Sequence, residues 1–411
     1  MRIAALALLA ALAAAPAAAA PLELHRGVAV HEWLNWSPLE PDGSYRWPPY
    51  QTEAEWLSRD RPASDWPAGD PFALIRSLGF DFVRLTVDPG PLLATSGDRR
   101  QEALALLAAD VAKVTAAGLK VVFNIHPVSQ VAAYSNELVN GAAAATGVAQ
   151  YRAMIVDLAQ TLAPLGADRV ALEPFNEPAH YPCDMWGSND WQQIMATTVA
   201  AIRAVSSELT IVATGACGGN VDGLADLDPS FDDPNILYSF HMYEPHLFTH
   251  QRAEREGDFA SGLSWPASAG SPDAVRAMLG ARMDAAGVPP DEQARQLEAV
   301  RGDIDRYFAE DWGEARMQAR VQQAVDWATG HGIPAARLFM GEFGAMLMSA
   351  DGRSGAFDAD RLRYLEALRR IAEGHDIPWS IWEFSNPYGM SVIAPHGPAL
   401  PDHKLLKALG L

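Results

Sequence analysis

The stretch that decides the fold of this chain reads Leu172-Glu173-Pro174-Phe175-Asn176-Glu177-Pro178. A short apolar run, Val170-Ala171-Leu172, leads into it and has the length of a buried parallel strand. Pro178 ends the regular backbone, because proline lacks an N–H and disfavours the helical conformation at the residue before it. Glu177 is therefore predicted at the C-terminal tip of a strand, with Asn176 beside it.

A second stretch has the same design and reads Leu338-Phe339-Met340-Gly341-Glu342-Phe343-Gly344. Here too an apolar strand ends at a glutamate. Two glutamates at the tips of parallel strands are the minimum set of groups for breaking a glycosidic bond. The pair Glu177 and Glu342 is therefore the first candidate for a catalytic centre.

Between and around these stretches, short apolar segments alternate with helical patterns, and no glycine-rich phosphate loop follows the first strand. This alternation favours a (β/α)8 TIM barrel, an α/β fold, over a doubly wound sheet. We expect one domain over residues 21–411, with long βα loops after the first and sixth strands. The predicted strands are Gly27–His31, Phe82–Val87, Lys120–His126, Val170–Phe175, Thr210–Thr214, Ile236–Met242, Leu338–Gly341 and Trp379–Glu383.

Composition narrows the class of protein. The chain has 411 residues, 49% of them hydrophobic, and a formal net charge of −20. Such a charge argues against nucleic acid and against anionic membrane surfaces as partners, and it is compatible with an uncharged polysaccharide. We expect a monomer without a cofactor. Metal-binding patterns such as CxxC or HExxH are absent from the sequence, so we expect no metal.

Residues 1–20 combine one basic residue, an apolar Ala/Leu run and a small-residue end, which is typical of a secretory signal peptide. We therefore expect the protein to be secreted or periplasmic. Export makes a disulfide possible between the two cysteines, Cys183 and Cys217, although both could also stay free. Each follows the tip of a strand, the fourth and the fifth, which are neighbours in a barrel. We predict that they are bonded.

Polar side chains recur at the predicted strand tips, on an otherwise apolar scaffold. Each alone could be structural, but independent core residues need not all fall at C-terminal ends, where barrel enzymes place their sites. The set comprises Arg84, His126, Asn176, Glu177, His241, Tyr243, Glu342 and Trp382. From the long loops we add Trp33, Trp36 and Trp265 as candidates for lining a glycan cleft, with small loop cores as the alternative reading.

These strand-tip residues resemble glycoside hydrolase family 5, whose barrels carry catalytic glutamates on strands four and seven. The resemblance covers the chain from residue 21 onward and rests on six motifs in order. They are Val83-Arg84, Asn124-Ile125-His126, Asn176-Glu177-Pro178, His241-Met242-Tyr243, Gly341-Glu342-Phe343-Gly344 and Trp382.

The resemblance implies that Glu177 is the general acid/base and Glu342 the nucleophile of a retaining hydrolase. The chemistry agrees, since Asn176 could bind the sugar 2-hydroxyl, while Arg84 and Tyr243 could hold Glu342 ionised. The pKa of Glu177 is accordingly expected above that of Glu342. The two histidines would bind hydroxyls or orient the carboxylates, and Trp382 would stack under the sugar.

The implied activity is hydrolysis of β-1,4-linked glucan within the chain. Alternatives are a β-mannanase, an enzyme that trims the cell's own exopolysaccharide, or a non-catalytic glycan-binding barrel. Glu173 lies four residues before Glu177 in a strand, so the two side chains point differently, and Glu173 is read as structural. Glu383 follows Trp382 and could lie near the site, but its alternating position in the strand indicates otherwise. A histidine-rich metal cluster of His180, His246 and His250 is a minor alternative, and strand one lacks the His-x-His of barrel metallohydrolases.

Overall fold

A computed structural model describes residues 20–179, 183, 189–231, 233–251 and 261–411. Almost all of the predicted signal peptide lies outside these residues. Eight parallel strands close into a barrel in sequence order, with the first strand pairing the eighth. The strands are β1 (Arg26–Leu34), β2 (Phe82–Val87), β3 (Lys120–Ile125), β4 (Val170–Glu173), β5 (Thr210–Thr214), β6 (Ile236–Met242), β7 (Leu338–Phe343) and β8 (Trp379–Ile381).

Helices follow every strand and pack on the outside of the barrel, so the predicted (β/α)8 architecture is confirmed. The α-helices are α1 (Glu53–Arg59), α2 (Pro71–Ser77), α3 (Gly90–Leu93), α4 (Gly97–Ala116), α5 (Thr146–Leu162), α6 (Trp191–Arg203), α7 (Val221–Asp226), α8 (His246–Thr249), α9 (Pro272–Ala285), α10 (Pro290–Ala309), α11 (Glu314–Gly330), α12 (Asp358–Gly374) and α13 (His403–Ala408). None of the helices described is long and apolar enough to cross a membrane.

Helix α2 shows how local sequence sets the element boundaries. The Asp70 carboxylate accepts a hydrogen bond from the Phe72 N–H at 3.0 Å, and Pro71 occupies the first helical position. Gly79 follows the last turn with a φ of +101°, a conformation that side-chain-bearing residues rarely adopt. The helix therefore starts and stops where the capping residues predict.

The barrel interior is layered. Alternate strand residues point inward, and a lower layer is closed from below by Leu22 and Leu24, which precede β1. The layer's other members are Phe82, Val122, Ala171, Val212, Leu237 and Phe339. Above it the inward side chains turn polar, so an apolar floor supports a polar upper barrel at the carboxyl ends of the strands.

Two long connections rise from that upper face, as expected. One follows β1 and carries helix α1 before α2 begins, and the other joins β6 to α11 through α8, α9 and α10. A third connection, after β4, is joined to the loop after β5 by a disulfide between Cys183 and Cys217, whose Cα atoms are 4.9 Å apart. All three connections leave the C-terminal ends of strands, at the same end of the barrel.

Candidate active site

A fully buried arginine organises the upper barrel. Arg84, on β2, donates to Glu173 through Nε at 2.7 Å and through Nη2 at 3.0 Å. Its Nη1 donates to Glu342 at 2.5 Å, and its Nη2 also donates to Asn176 at 2.8 Å. One guanidinium therefore orients side chains from β4 and β7, and Glu173 has the structural position that its place in the strand predicts.

The two candidate carboxylates meet across His241. Its Nδ1 is 2.7 Å from Oε1 of Glu177 and 3.6 Å from Oε2 of Glu342. Ligating atoms of these three side chains all lie within 4.8 Å of one another. The Tyr243 hydroxyl donates to Oε2 of Glu342 at 3.0 Å. Among the described residues, Glu177, His241 and Glu342 are the group whose side chains could share a cation. The distance between Glu177 and His241, however, is that of a hydrogen bond.

Glu177, His241 and Glu342 form a trio of interacting groups, and the pKa shifts of its two carboxyl groups differ from the expected order. Burial would raise the pKa of Glu177, but the hydrogen bond with His241 and the positive charges of His241, Arg84 and His250 together lower it. Burial raises the pKa of Glu342 against the charges of His241 and Arg84. Burial also opposes charge on His241, yet the two carboxylates raise its pKa. The prediction of a higher pKa for Glu177 is thus wrong for the free site, because His241 lies closer to Glu177.

Asn176 is fixed in one orientation by its neighbours. Since its Oδ1 accepts from Arg84, its Nδ2 is the atom 3.3 Å from Nε2 of His126. His126 Nδ1 lies 3.1 Å from Oδ1 of Asn124, so the network assigns the proton of a neutral imidazole to Nδ1. Burial lowers the pKa of His126 well below its usual range. Within the part of the chain that the structure describes, His126 takes one amide hydrogen of Asn176, and the second is available to a ligand.

Aromatic rings form the wall beside these groups. Trp382, at the end of β8, stacks near His126 at a centroid distance of 5.6 Å and lies 4.6 Å from His31. Trp36 contacts His31 edge-on at 5.9 Å and is half-buried, which places it at the edge of the site. Trp382 and Trp36 therefore lie where a sugar ring could reach them.

His31 is a site residue that the sequence analysis missed. It sits on β1 with its Nδ1 3.0 Å from the Thr86 hydroxyl, and burial lowers its pKa to about 3. It is therefore a neutral hydrogen-bonding group at ordinary pH. The signal was present, because His31 ended the predicted first strand and thus had a tip position like the other candidates.

Two of the proposed cleft tryptophans belong to the core instead. Trp33 is fully buried between Trp56 and Phe72, and its Nε1 donates to a backbone carbonyl. Trp265 is 2% exposed and packs on Phe248 and Tyr364 beneath the loop after β6. Both predictions were wrong for the same reason, since each long loop needs an aromatic core of its own.

Substitution of Trp33 and Trp36 separates these two roles. Trp33→Ala is expected to lower the free energy of unfolding by about 3–5 kcal/mol, as for other large core deletions. Trp36→Ala should leave stability nearly unchanged and raise KM for a soluble glucan about two- to tenfold, the worth of one aromatic contact. Denaturant unfolding and steady-state kinetics check both. A raised KM in a correctly folded Trp33→Ala variant would contradict this assignment and would mean that Trp33 contributes to the cleft.

Behind the aromatic wall lies a buried acidic pair. Glu383 accepts from the His31 N–H at 3.2 Å and from Asn386 Nδ2 at 2.7 Å, while Glu32 contacts Arg59 at 2.7 Å. Burial raises the pKa of Glu32 to about 7 and that of Glu383 well above its usual range. Glu383 is thus outside the trio, as its strand position predicts, and it joins the tips of β1 and β8.

The turn after β5 supports the tip of β4. The Gly218 N–H donates to the Pro178 carbonyl at 3.0 Å, and Gly219 has a φ of +68°. A Cβ at Gly219 would come within 3.2 Å of the Asn176 carbonyl oxygen, so glycine permits this close approach. His180 lies outside the described residues, and the His246 and His250 rings stack on each other with centroids 4.0 Å apart.

Comparisons with known proteins agree with this architecture. The family profile described as Cellulase (glycosyl hydrolase family 5) matches residues 44–387. Endoglucanase 3 of Fibrobacter succinogenes is 28% identical over 200 residues, which are 49% of this chain and 27% of that protein. The chain therefore spans about a quarter of that relative's length.

Two solved structures share the fold. Thermotoga maritima Cel5A in complex with mannotriose aligns over 94% of this chain and 97% of its own, with 19% identity and a TM-score of 0.64. The cellulose synthase subunit Z of Clostridioides difficile aligns over 94% and 99%, with 18% identity and a TM-score of 0.60. The match of the family profile over most of the barrel shows that this chain belongs to glycosyl hydrolase family 5.

Proposed function

We propose that the protein is an exported, monomeric endo-β-1,4-glucanase that cleaves glucan with retention of configuration. The observation that carries the proposal is the pair Glu177, in the loop after β4, and Glu342, on β7, whose carboxylate oxygens come within 4.8 Å of each other. Retaining glycosidases hold their carboxyl groups about 5–5.5 Å apart, whereas inverting ones need room for a water molecule between them. The names of the relatives, endoglucanases among them, support glucan as the substrate.

Glu342 is the proposed nucleophile. Arg84 and Tyr243 each hold one of its oxygens, which aligns the carboxylate and favours its ionised form. Attack on the anomeric carbon would form a covalent glycosyl-enzyme and release the leaving sugar. Asn176, locked by Arg84, can donate its free amide hydrogen to the sugar 2-hydroxyl, a contact that strengthens in the oxocarbenium-like transition state.

Glu177 is the proposed general acid/base, and His241 supplies its proton. In the free site the raised pKa of His241 and the lowered pKa of Glu177 place the proton on the imidazole. Transfer along their 2.7 Å hydrogen bond converts imidazolium and carboxylate into neutral imidazole and carboxylic acid. Glu177 then protonates the departing oxygen and later, as a carboxylate, deprotonates the attacking water.

The stereochemical test uses the products themselves. We expect proton NMR of a cello-oligosaccharide digest to show the β-anomer of the new reducing end first, with the α-anomer growing only by mutarotation. Two displacements at one carbon require this outcome. Initial formation of the α-anomer would mean inversion and would remove Glu342 from its proposed role.

Substrate profiling separates the remaining alternatives. Carboxymethyl cellulose and mixed-linkage glucan should be cleaved faster than mannan, and viscosity should fall before much reducing sugar appears, as internal cleavage requires. Preference for mannan would favour the mannanase alternative. Binding of glucan without turnover of any polymer would favour the non-catalytic barrel.

A further inference from the structure

Two buried polar atoms next to the catalytic trio have no hydrogen-bond partner in the part of the chain that the structure describes. They are Nε2 of His241 and the hydroxyl oxygen of Ser239. His241 is 2% exposed and Ser239 is fully buried. Leaving a buried polar group unpaired is costly, so a link between such neighbours is the expected arrangement.

The two atoms flank the same point in the barrel. Ser239 and His241 are alternate residues of β6, so their side chains share its inward face. On the adjoining strand β7, a Cβ added to Gly341 would lie 2.7 Å from the Ser239 hydroxyl oxygen and 3.2 Å from His241 Nε2. Only a residue without a side chain leaves the space between the two polar atoms open.

A hydroxyl suits the chemistry that His241 must perform. As imidazolium, His241 needs an acceptor for its Nε2–H, and it still needs that acceptor after Nδ1 has given its proton to Glu177, because the neutral ring then keeps its proton on Nε2. The hydroxyl oxygen of Ser239 can serve as that acceptor in both states through a buried water molecule of the kind that commonly joins interior polar groups. A carboxylate in this place would instead stabilise the imidazolium strongly and oppose transfer of the proton to Glu177.

We propose that Ser239 is a positioning residue that acts through His241. Its hydroxyl oxygen, linked to the Nε2–H across the space over Gly341, holds the imidazole with Nδ1 toward Glu177 while Nδ1 gives up and regains its proton. The proposal rests on the proposed function, because it assigns His241 as the proton source for Glu177.

Other charged and titratable groups also face His241, and they stay in place when Ser239 is changed. Glu342 and Glu177 favour its charged form, whereas Arg84 and His126 oppose it. Tyr243, which directly follows β6, donates its hydroxyl hydrogen to Glu342. Because the hydroxyl stabilises the imidazolium more than the neutral ring, its removal should lower the pKa of His241.

The first test measures His241 itself. Histidine-labelled full-length protein is titrated by NMR, with His241→Gln identifying the signal. Ser239→Ala should lower the pKa of His241 by about one pH unit, the worth of one hydrogen bond to a charged group. Ser239→Thr, which keeps a hydroxyl, should restore most of it. An unchanged pKa in Ser239→Ala overturns the inference, and this readout does not depend on the enzyme's activity.

The second test is the pH profile of kcat/KM. Loss of the proton from the Glu177–His241 pair ends activity at high pH, so Ser239→Ala should move the alkaline limb about one pH unit toward acid. Gly341→Ala, which fills the space, should move it in the same direction. Ser239→Cys keeps the side-chain size and weakens hydrogen bonding, and it serves if the alanine variant does not fold.

Ser380 provides a matched control. It is a fully buried serine on β8 whose hydroxyl oxygen likewise has no partner among the described residues. Ser380→Ala should change neither the His241 titration nor the alkaline limb. Equal shifts in both alanine variants would mean a general loosening of the barrel and would overturn the inference. If the wild type hydrolysed no glucan but Ser239→Ala still lowered the pKa of His241, the result would contradict the proposed function and leave this inference standing.

Discussion

Glu342→Ala is expected to lose activity on aryl glucosides by roughly 10⁴-fold or more, because no covalent intermediate can form without the nucleophile. Glu177→Ala should keep part of its turnover on the same substrates, since a good leaving group needs little protonation. Azide distinguishes the two variants. It should attack the trapped intermediate of Glu177→Ala and yield the β-glycosyl azide after two inversions. In Glu342→Ala it should enter the vacated space and yield the α-azide by one inversion.

Product configuration, read by NMR, is the measurement that decides this experiment. Thermal unfolding of both variants serves as the control, because a misfolded barrel would also be inactive. Formation of the α-azide by Glu177→Ala would exchange the two roles. Failure of azide to accelerate either folded variant would speak against a double displacement altogether.

Arg84→Met is expected to lower the free energy of unfolding by about 3–5 kcal/mol, the cost of leaving a buried ion pair without one partner. Arg84 and Glu173 are both fully buried, so Glu173 would keep its charge where water cannot reach it. Activity should fall together with stability, because Glu342 and Asn176 lose the donor that orients them. Denaturant unfolding and kinetics at a temperature where the variant is folded measure the two effects.

A double variant separates stability from function. Arg84→Met combined with Glu173→Gln removes the stranded charge, so much of the lost stability should return. Activity should stay at least 100-fold below wild type, because the contacts with Glu342 and Asn176 remain missing. Recovery of activity together with stability would mean that Arg84 only supports the fold. Arg84→Lys is a weaker test, since lysine cannot make the forked contacts.

The fold and the strand-tip set were predictable because each followed from local rules. The runs of apolar residues, and the turn-forming residues on either side of them, predicted β2, β5 and β6 with the bounds that are observed. Parallel strands then bring their carboxyl ends together, which is why Arg84, Asn176, His241 and Glu342 could be grouped without a structure. The likeness to a known family added their proposed roles.

What escaped prediction depends on contacts between distant residues. Whether a loop tryptophan faces a cleft or a loop core depends on how the loop folds back onto the barrel. Trp33 and Trp265 both lie in loop cores for this reason. Which of the two carboxylates hydrogen-bonds His241 depends on contacts of 2.7 Å and 3.6 Å made across the barrel, and that choice contributes to the direction of both carboxylate pKa shifts. Neither quantity is encoded in spacing along the chain.

The two ends of the described chain also have a practical consequence. Leu22 and Leu24 close the lower barrel, and Leu411 lies against Gly79, just before β2 begins. The Gly410 carbonyl accepts a hydrogen bond from Arg26 at 2.6 Å, so both ends meet on the side away from the trio. Immobilisation on a solid support through a short tail after Leu411 should leave the cleft accessible to polymer. Trimming residues 21–25 to shorten a recombinant form should instead open the barrel floor.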